Sequence, residues 1–360
     1  MIDTVAEYIA ALKDEDWAVR EDAATALGLS RDTRAVVPLV ALLKDSDRAV
    51  REAAMAALTA IGEASVMVLS ACLQDGDLSV QESAAAILAK IADERVVDPL
   101  LAVLNSPSWI VRMHAAKALG RIGDPRTVTP LVSLLQDKVK AVRTDTGEAL
   151  ARIGAAAIPL LLESLNHEEW LVRLHAVEAL GKIRSPEAVE PLLYVLFNDR
   201  DAAVREDAAR SLGEIGDPRA VEFLLTAMAE PGLRPLAIEA LGNIGDRRAV
   251  PDLIHVVNGT SQPAESRPLH GCGDRWDQEM FAMEAAVKAL AQIRDESTIP
   301  TLVAALQNTV VRAEAAAALA AFGAPAIPFL LEVLKKERDE NILFHAKEAL
   351  TQVGWRPNRI

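Results

Sequence analysis

The feature that most constrains this 360-residue chain is a phrase it repeats from end to end, roughly D-x-x-V-R-x-x-A-A-x-A-L-G-x-I-G-D-x-x-A-V-x-P-L-x-x-L-L. With the Arg of the phrase as reference, the units fall at Arg20, Arg51, Gln81, Arg112, Arg143, Arg173, Arg205, Arg234, Met283, Arg312 and Leu343, which makes eleven. Successive steps are 29 to 32 residues, apart from one of 49, so the phase survives a single insertion. A unit this short cannot bury its own apolar face; it becomes stable only by stacking on its neighbours.

The spacing within the unit says what stacks. Counted from the Arg, positions −1, +3, +4 and +7 are apolar and lie on one side of an α-helix, while −3, +1, +2, +5 and +9 point away from it. A Gly ends that helix, and Pro in the first turn of the next starts another. Asp four residues before the Arg, as at Asp16, Asp47, Asp77 and Asp201, predicts a helix N-cap. The repeated Arg is expected to be structural, pairing with such acids in the next unit. Hydrophobic residues make up 51% of the chain but aromatics only 4%, so the core must be close-packed from small side chains on helices. The fold class is all-α.

Charge and cysteine content narrow the function classes. A net charge of −14 repels polyphosphate, and no nucleic-acid partner is expected. The opening MIDTVAEYIAALKDED has neither a basic region nor a long apolar run, so no signal peptide and no membrane span is expected, and the chain is assigned to the cytoplasm. Cys72 and Cys272 stand alone, without a CxxC, which argues against a disulfide framework or a zinc finger and fits a reducing compartment.

The stretch VREDAARSLGEIGDPRAVEFLL from Val204, with close copies at VREDAATALG, VREAAMAAL and IVRMHAAKALGRIGDPRTVTPL, resembles HEAT-like repeats of the short phycobilisome-lyase type. The resemblance covers residues 2 to about 353 and implies one right-handed α-solenoid of about eleven helix pairs over residues 1–360. It also implies that the second helix of each pair, the one carrying V-R-x-x-A-A, lines a concave groove.

On that placement the middle of the groove is its most distinctive segment. Trp109 and Trp170 occupy position −3, Met113 and Leu174 position +1, and position +2 reads His114, Asp145, His175, Asp207 through units four to seven. Packed helices stand about 8–10 Å apart, so the two histidines, a whole repeat apart, are separated by on the order of 20 Å and cannot share a metal ion. No metal site is assigned. Adjacent members such as His114 and Asp145 are close enough to meet, and a His–Asp ladder would raise the histidine pKa values. Solvated polar residues on an exposed helix face and a partner-recognition surface are both consistent with the ladder. The exposed aromatics beside Met113 and Leu174 have the composition of a binding hot spot.

The insertion falls in unit nine, where residues 258–277 read NGTSQPAESRPLHGCGDRWD and lose helical periodicity. A loop is expected there. His270, Cys272, Asp274 and Trp276 are its candidate functional residues, although H-x-C without a second pair is a weak metal site.

No Ser-His-Asp arrangement, phosphate-binding glycine loop or nucleotide fingerprint occurs. Deoxyhypusine hydroxylases, built from similar repeats, bind two iron ions through His-Glu pairs. Here His114, His175 and His345 are each followed by Ala, and the one His-Glu, His167-Glu168, precedes its helix. The expectation is a non-enzymatic scaffold that holds a protein partner in its groove without a cofactor. The alternative implied by the repeat type is a bilin-handling protein, or a lyase acting on bilin–protein linkages.

Overall fold

The computed structural model describes residues 3–259 and 273–355, with the backbone alone for 273–278. Among these residues the chain is helical and has no β-strand. The eleven second helices are Trp17–Ser30, Arg48–Ile61, Leu78–Ile91, Trp109–Ile122, Lys140–Ile153, Trp170–Ile183, Ala202–Ile215, Arg234–Ile244, Gly273–Ile293, Arg312–Phe322 and Glu340–Gln352. Eleven mostly shorter first helices, from Thr4–Ala11 to Ile327–Lys336, alternate with them, and the fold is an all-α solenoid. The most apolar run, Arg48–Cys72, is long and apolar enough to cross a membrane, but it comprises two helices of successive units joined by a 3₁₀ turn at Gly62–Ser65.

The chain divides into two compact units, residues 1–179 and 180–360. Successive second helices pack on one another from Trp17–Ser30 to Lys140–Ile153 in the first and from Ala202–Ile215 to Glu340–Gln352 in the second, and the first helices form the other layer. The predicted core positions are the buried ones: in unit four Val111, Ala115, Ala116 and Leu119 are wholly inaccessible. Alanine at two of these four positions lets the helices approach closely. The Gly that follows Leu sets the limit of that approach, because a Cβ on Gly120 would stand 2.4 Å from Ala149 Cα.

The caps form as the sequence predicts at Asp16, Asp47 and Asp77, whose carboxylates accept the backbone N–H of Ala18, Ala49 and Ser79. A second set of caps precedes the first helices. In the Asp124-Pro125-Arg126 turn, Asp124 accepts the Arg126 N–H while the Arg126 guanidinium folds back onto the same carboxylate.

The repeated Arg is structural, but its partner differs from the expected acid. In units one, two, four, five, six and seven its Nη1 donates to the carbonyl six residues earlier, as Arg112 does to Ser106 at 2.7 Å and Arg143 to Asp137 at 2.6 Å. Gln81 in unit three does the same through its amide. Between units, Arg20 pairs with Asp45 rather than with the N-cap Asp47, and Arg112 pairs with Asp137, in both cases the acid six before the next reference position; in unit five the N-cap position four before it is Val139. The acid six before sits in the turn beside the carbonyls that receive the Arg, where it also accepts the backbone N–H two residues on.

Unit nine corrects the predicted loop at its C-terminal end. The helix begins at Gly273, so the last residues of the 258–277 stretch are helical. The glycines and prolines that suggested a loop all lie at or before Gly273, and from Asp274 to Ile299 neither residue occurs. Residues 260–272 lie outside the described residues.

Candidate partner-binding face

Trp109 and Trp170 each open a second helix, and their position in the first turn, before the helix is covered by its neighbour, leaves them 42% and 39% exposed. Met113 and Leu174 follow one turn later and are half-buried, with Lys140 exposed between the two tryptophans. The start of the Trp109 helix is tied down by Ser108, whose hydroxyl donates to Glu82 of the preceding second helix at 2.6 Å. Arg173 Nη1 ties the start of the Trp170 helix to the His167 and Glu168 carbonyls, so both indoles are held on anchored backbone rather than on a loop.

The histidine row differs from its expected form. His175 is only 4% exposed, and its Nδ1 lies 2.7 Å from Glu178 Oε2 of the same helix, while Nε2 has no partner among the described residues. It is an interior side chain, because position +2 turns toward the neighbouring helix once the repeats stack. His114 is half-buried, with Nδ1 unpartnered. Its pKa moves down, against the expected rise: burial disfavours the charged ring, Lys117 and Lys90 repel it, and Asp145 and Glu82 only partly compensate. Asp145 is half-buried, and Asp207, in the second compact unit, is engaged by Arg210 of its own helix. Of the row, His175 and Asp207 are thus each engaged by a residue of their own helix, while His114 keeps an unpartnered Nδ1.

Two features escaped the sequence reading although their signals were present. Six residues before the reference position, the units run Asp14, Asp45, Asp75, Ser106, Asp137, His167, Asp199. His167 takes the aspartate's part there: its Nδ1 accepts the Glu169 N–H at 3.1 Å, as Asp137 accepts that of Val139 at 2.8 Å. It is a turn residue. Position +9 also reads Lys90, Arg121, Arg152, Lys182 in units three to six, a run of cations in an acidic chain. Lys90, Arg121 and Arg152 line an open cleft of about 490 Å³ together with Ala92, Gly120 and Gly123.

Of the insertion residues, His270 and Cys272 lie outside the described residues. Asp274 and Trp276 fall on the first turns of the Gly273–Ile293 helix, and their side chains are likewise outside. Cys72 is core, and burial pushes its thiol pKa up. No group of three or more His, Cys, Asp or Glu among the described residues is arranged to hold a metal ion.

A sequence profile for HEAT repeats matches residues 5–77, 66–151, 140–196, 158–232, 189–265 and 282–351. The chain is a HEAT-repeat protein. No curated protein matches it. Among solved structures, this HEAT-repeat chain is similar to Kap95p, whose binding induces the switch loops of RanGDP to adopt the GTP-bound conformation, with a TM-score of 0.65 and 16% identity over 96% of this chain and 57% of that one. It is also similar to the karyopherin Kap121p bound to the extreme C-terminus of the protein phosphatase Cdc14p (TM-score 0.64, 13% identity, 98% of this chain, 46% of that one). A further match is Kap121p bound to Nup53p (TM-score 0.64, 13% identity, 98% and 45%). At these identities the likeness is one of fold, and the chain spans about half the length of the karyopherins it matches.

Proposed function

We propose that this HEAT-repeat protein is a non-enzymatic scaffold that holds a protein partner on the concave face formed by its second helices, centred on units four to six. The observation that carries the reading is the pair of indoles, Trp109 and Trp170, exposed at the starts of anchored helices with Met113 and Leu174 a turn behind them. Large rigid aromatics on fixed backbone lose little entropy when covered, which is why such residues dominate binding energies. His114 and Asp145 supply polar contacts at the edge of the patch; His175 supports it from inside. The fold is shared with karyopherins, structures of which include complexes with protein segments, and this favours a partner of the same chemical class.

The test is affinity capture from the native organism with the wild-type chain and with the Trp109→Ala/Trp170→Ala double variant. Hot-spot losses of about 2 kcal/mol per tryptophan predict well over a tenfold loss of partner yield at unchanged helical content. Equal recovery of the same partners would remove the patch from the interface. The absorbance spectrum of the eluate separates the bilin alternative, because a tetrapyrrole band without a stoichiometric protein would replace the scaffold reading.

A further inference from the structure

The last turns of the second helices carry a charge pattern that the repeat does not require. Seven of the eleven have no basic residue in the last turn. Four consecutive ones hold Lys90, Arg121, Arg152 and Lys182. Cations at a helix C-terminus complement its macrodipole, but the seven without them show that the stack forms regardless.

The first three of these residues share the cleft of about 490 Å³, whose remaining lining is Ala92, Gly120 and Gly123, so nothing bulky fills the space between them. Lys90 and Arg121 make no ion pair among the described residues. Arg121 Nη1 donates to the Ala89 carbonyl at 2.8 Å, which fixes the guanidinium and leaves its other donors available. Arg152 reaches only Glu148 of its own helix, at 3.9 Å. In a chain of net charge −14 this is a concentrated patch of positive charge whose one ion pair is the long Arg152–Glu148 contact.

The opposite ends of three of these four helices are apolar, while the unit-five helix opens on the exposed Lys140. Leu78, Trp109 and Trp170 are all exposed in first turns. Trp109 and Arg121 lie twelve residues apart on one helix, about 3.3 turns and about 18 Å along its axis with their directions about 120° apart, and a helix with its side chains is about 10–12 Å across. One helix therefore fits between the apolar row and the basic row. Second helices repeat about every 10 Å, and seven residues of α-helix rise about the same distance.

We propose that the segment bound by this face is an acidic amphipathic helix of a partner protein. It lies across the second helices of units three to five, with carboxylates at i, i+7 and i+14 on Lys90, Arg121 and Arg152, and with its apolar edge toward Leu78 and Trp109. The inference rests on the partner-binding reading for its apolar edge and on the cleft for its charged one.

The experiment uses the full chain and a fluorescein-labelled synthetic helix with Glu at i, i+7 and i+14 and Leu along the adjoining edge, read by fluorescence anisotropy against the same peptide with Gln for Glu. The Glu peptide is expected to bind at least tenfold more tightly than the Gln peptide, with an advantage that shrinks as salt rises. The Lys90→Gln/Arg121→Gln/Arg152→Gln variant, checked for unchanged helicity, is expected to erase that advantage. The Trp109→Ala/Trp170→Ala variant is expected to weaken both peptides by the same factor. Equal affinity for the two peptides, an undiminished Glu preference in the triple variant, or no binding of the Glu peptide at about 1 mM overturns the inference. The arms separate the two readings. Loss of binding in the triple variant with none in the tryptophan variant keeps the acidic helix and removes the indoles, and the opposite result keeps the indoles and removes the acidic helix.

Discussion

Removing the guanidinium of Arg112 is expected to loosen the middle of the array far more than removing any surface arginine. Arg112 is 7% exposed and forms a bidentate pair with Asp137, Nε to Oδ2 at 2.6 Å and Nη2 to Oδ1 at 3.0 Å, while Nη1 serves the Ser106 carbonyl at 2.7 Å. Burial pushes the Asp137 carboxyl up, but hydrogen bonds from Arg112 and the Val139 N–H outweigh it and leave the pKa below the usual carboxylate value. In Arg112→Met the aliphatic volume stays, but a buried carboxylate loses its cation and a carbonyl loses its donor. Breaking one partner of such a pair costs about 3–5 kcal/mol. Arg48→Met, which removes an exposed pair with Glu52, should cost less than about 1 kcal/mol. Urea unfolding followed by far-UV circular dichroism measures both, with the transition examined for separate phases because repeat arrays need not unfold in one step. Asp137→Asn completes a double-mutant cycle, and its coupling with Arg112→Met should exceed about 1 kcal/mol. Since the Asp137 pKa is lowered in the folded chain, its contribution is full above the ordinary carboxylate value and is lost as the pH falls through the lower folded value. A loss in Arg112→Met no larger than in Arg48→Met, or additive single variants, would refute the claim that this rung joins units four and five.

Two further outcomes follow from the same packing. Gly120→Ala places a methyl 2.4 Å from Ala149 Cα and 2.5 Å from its Cβ, so thermal unfolding should show a loss of about 1–3 kcal/mol or more, the cost of forcing two helix backbones apart. Because the folded pKa of His114 is lowered, its neutral ring contributes fully above the ordinary histidine value of about 6.5, and stability is lost as the pH falls below it. His114→Gln should flatten the stability profile between about pH 7 and 5, and a profile identical to that of the wild type would show that the ring is not sensed by folding.

The repeat phrase contained the architecture because each unit carries its own helix period, cap, Gly stop and Pro start, and these act locally. Eleven reference positions became eleven second helices, and Val111, Ala115, Ala116 and Leu119 went to the core as their spacing requires. The chain lengths between caps even kept the phase across the insertion, although its C-terminal boundary moved to Gly273. The exposed tryptophans were also legible, since position −3 precedes the part of the helix that its neighbour covers.

What only the tertiary structure decided is how each polar side chain is partnered, because partners come from the adjacent unit at a distance that no spacing within one helix specifies. Arg20 paired with Asp45 and not with the N-cap Asp47; His167 became a turn residue in an aspartate's place; His175 turned inward to Glu178. His114 and Asp145 sit in neighbouring units as the ladder requires, yet burial and two lysines set the sign of the histidine shift. The cations at Lys90, Arg121 and Arg152 are thirty-one residues apart in sequence and became one cleft only when three helix ends were stacked side by side.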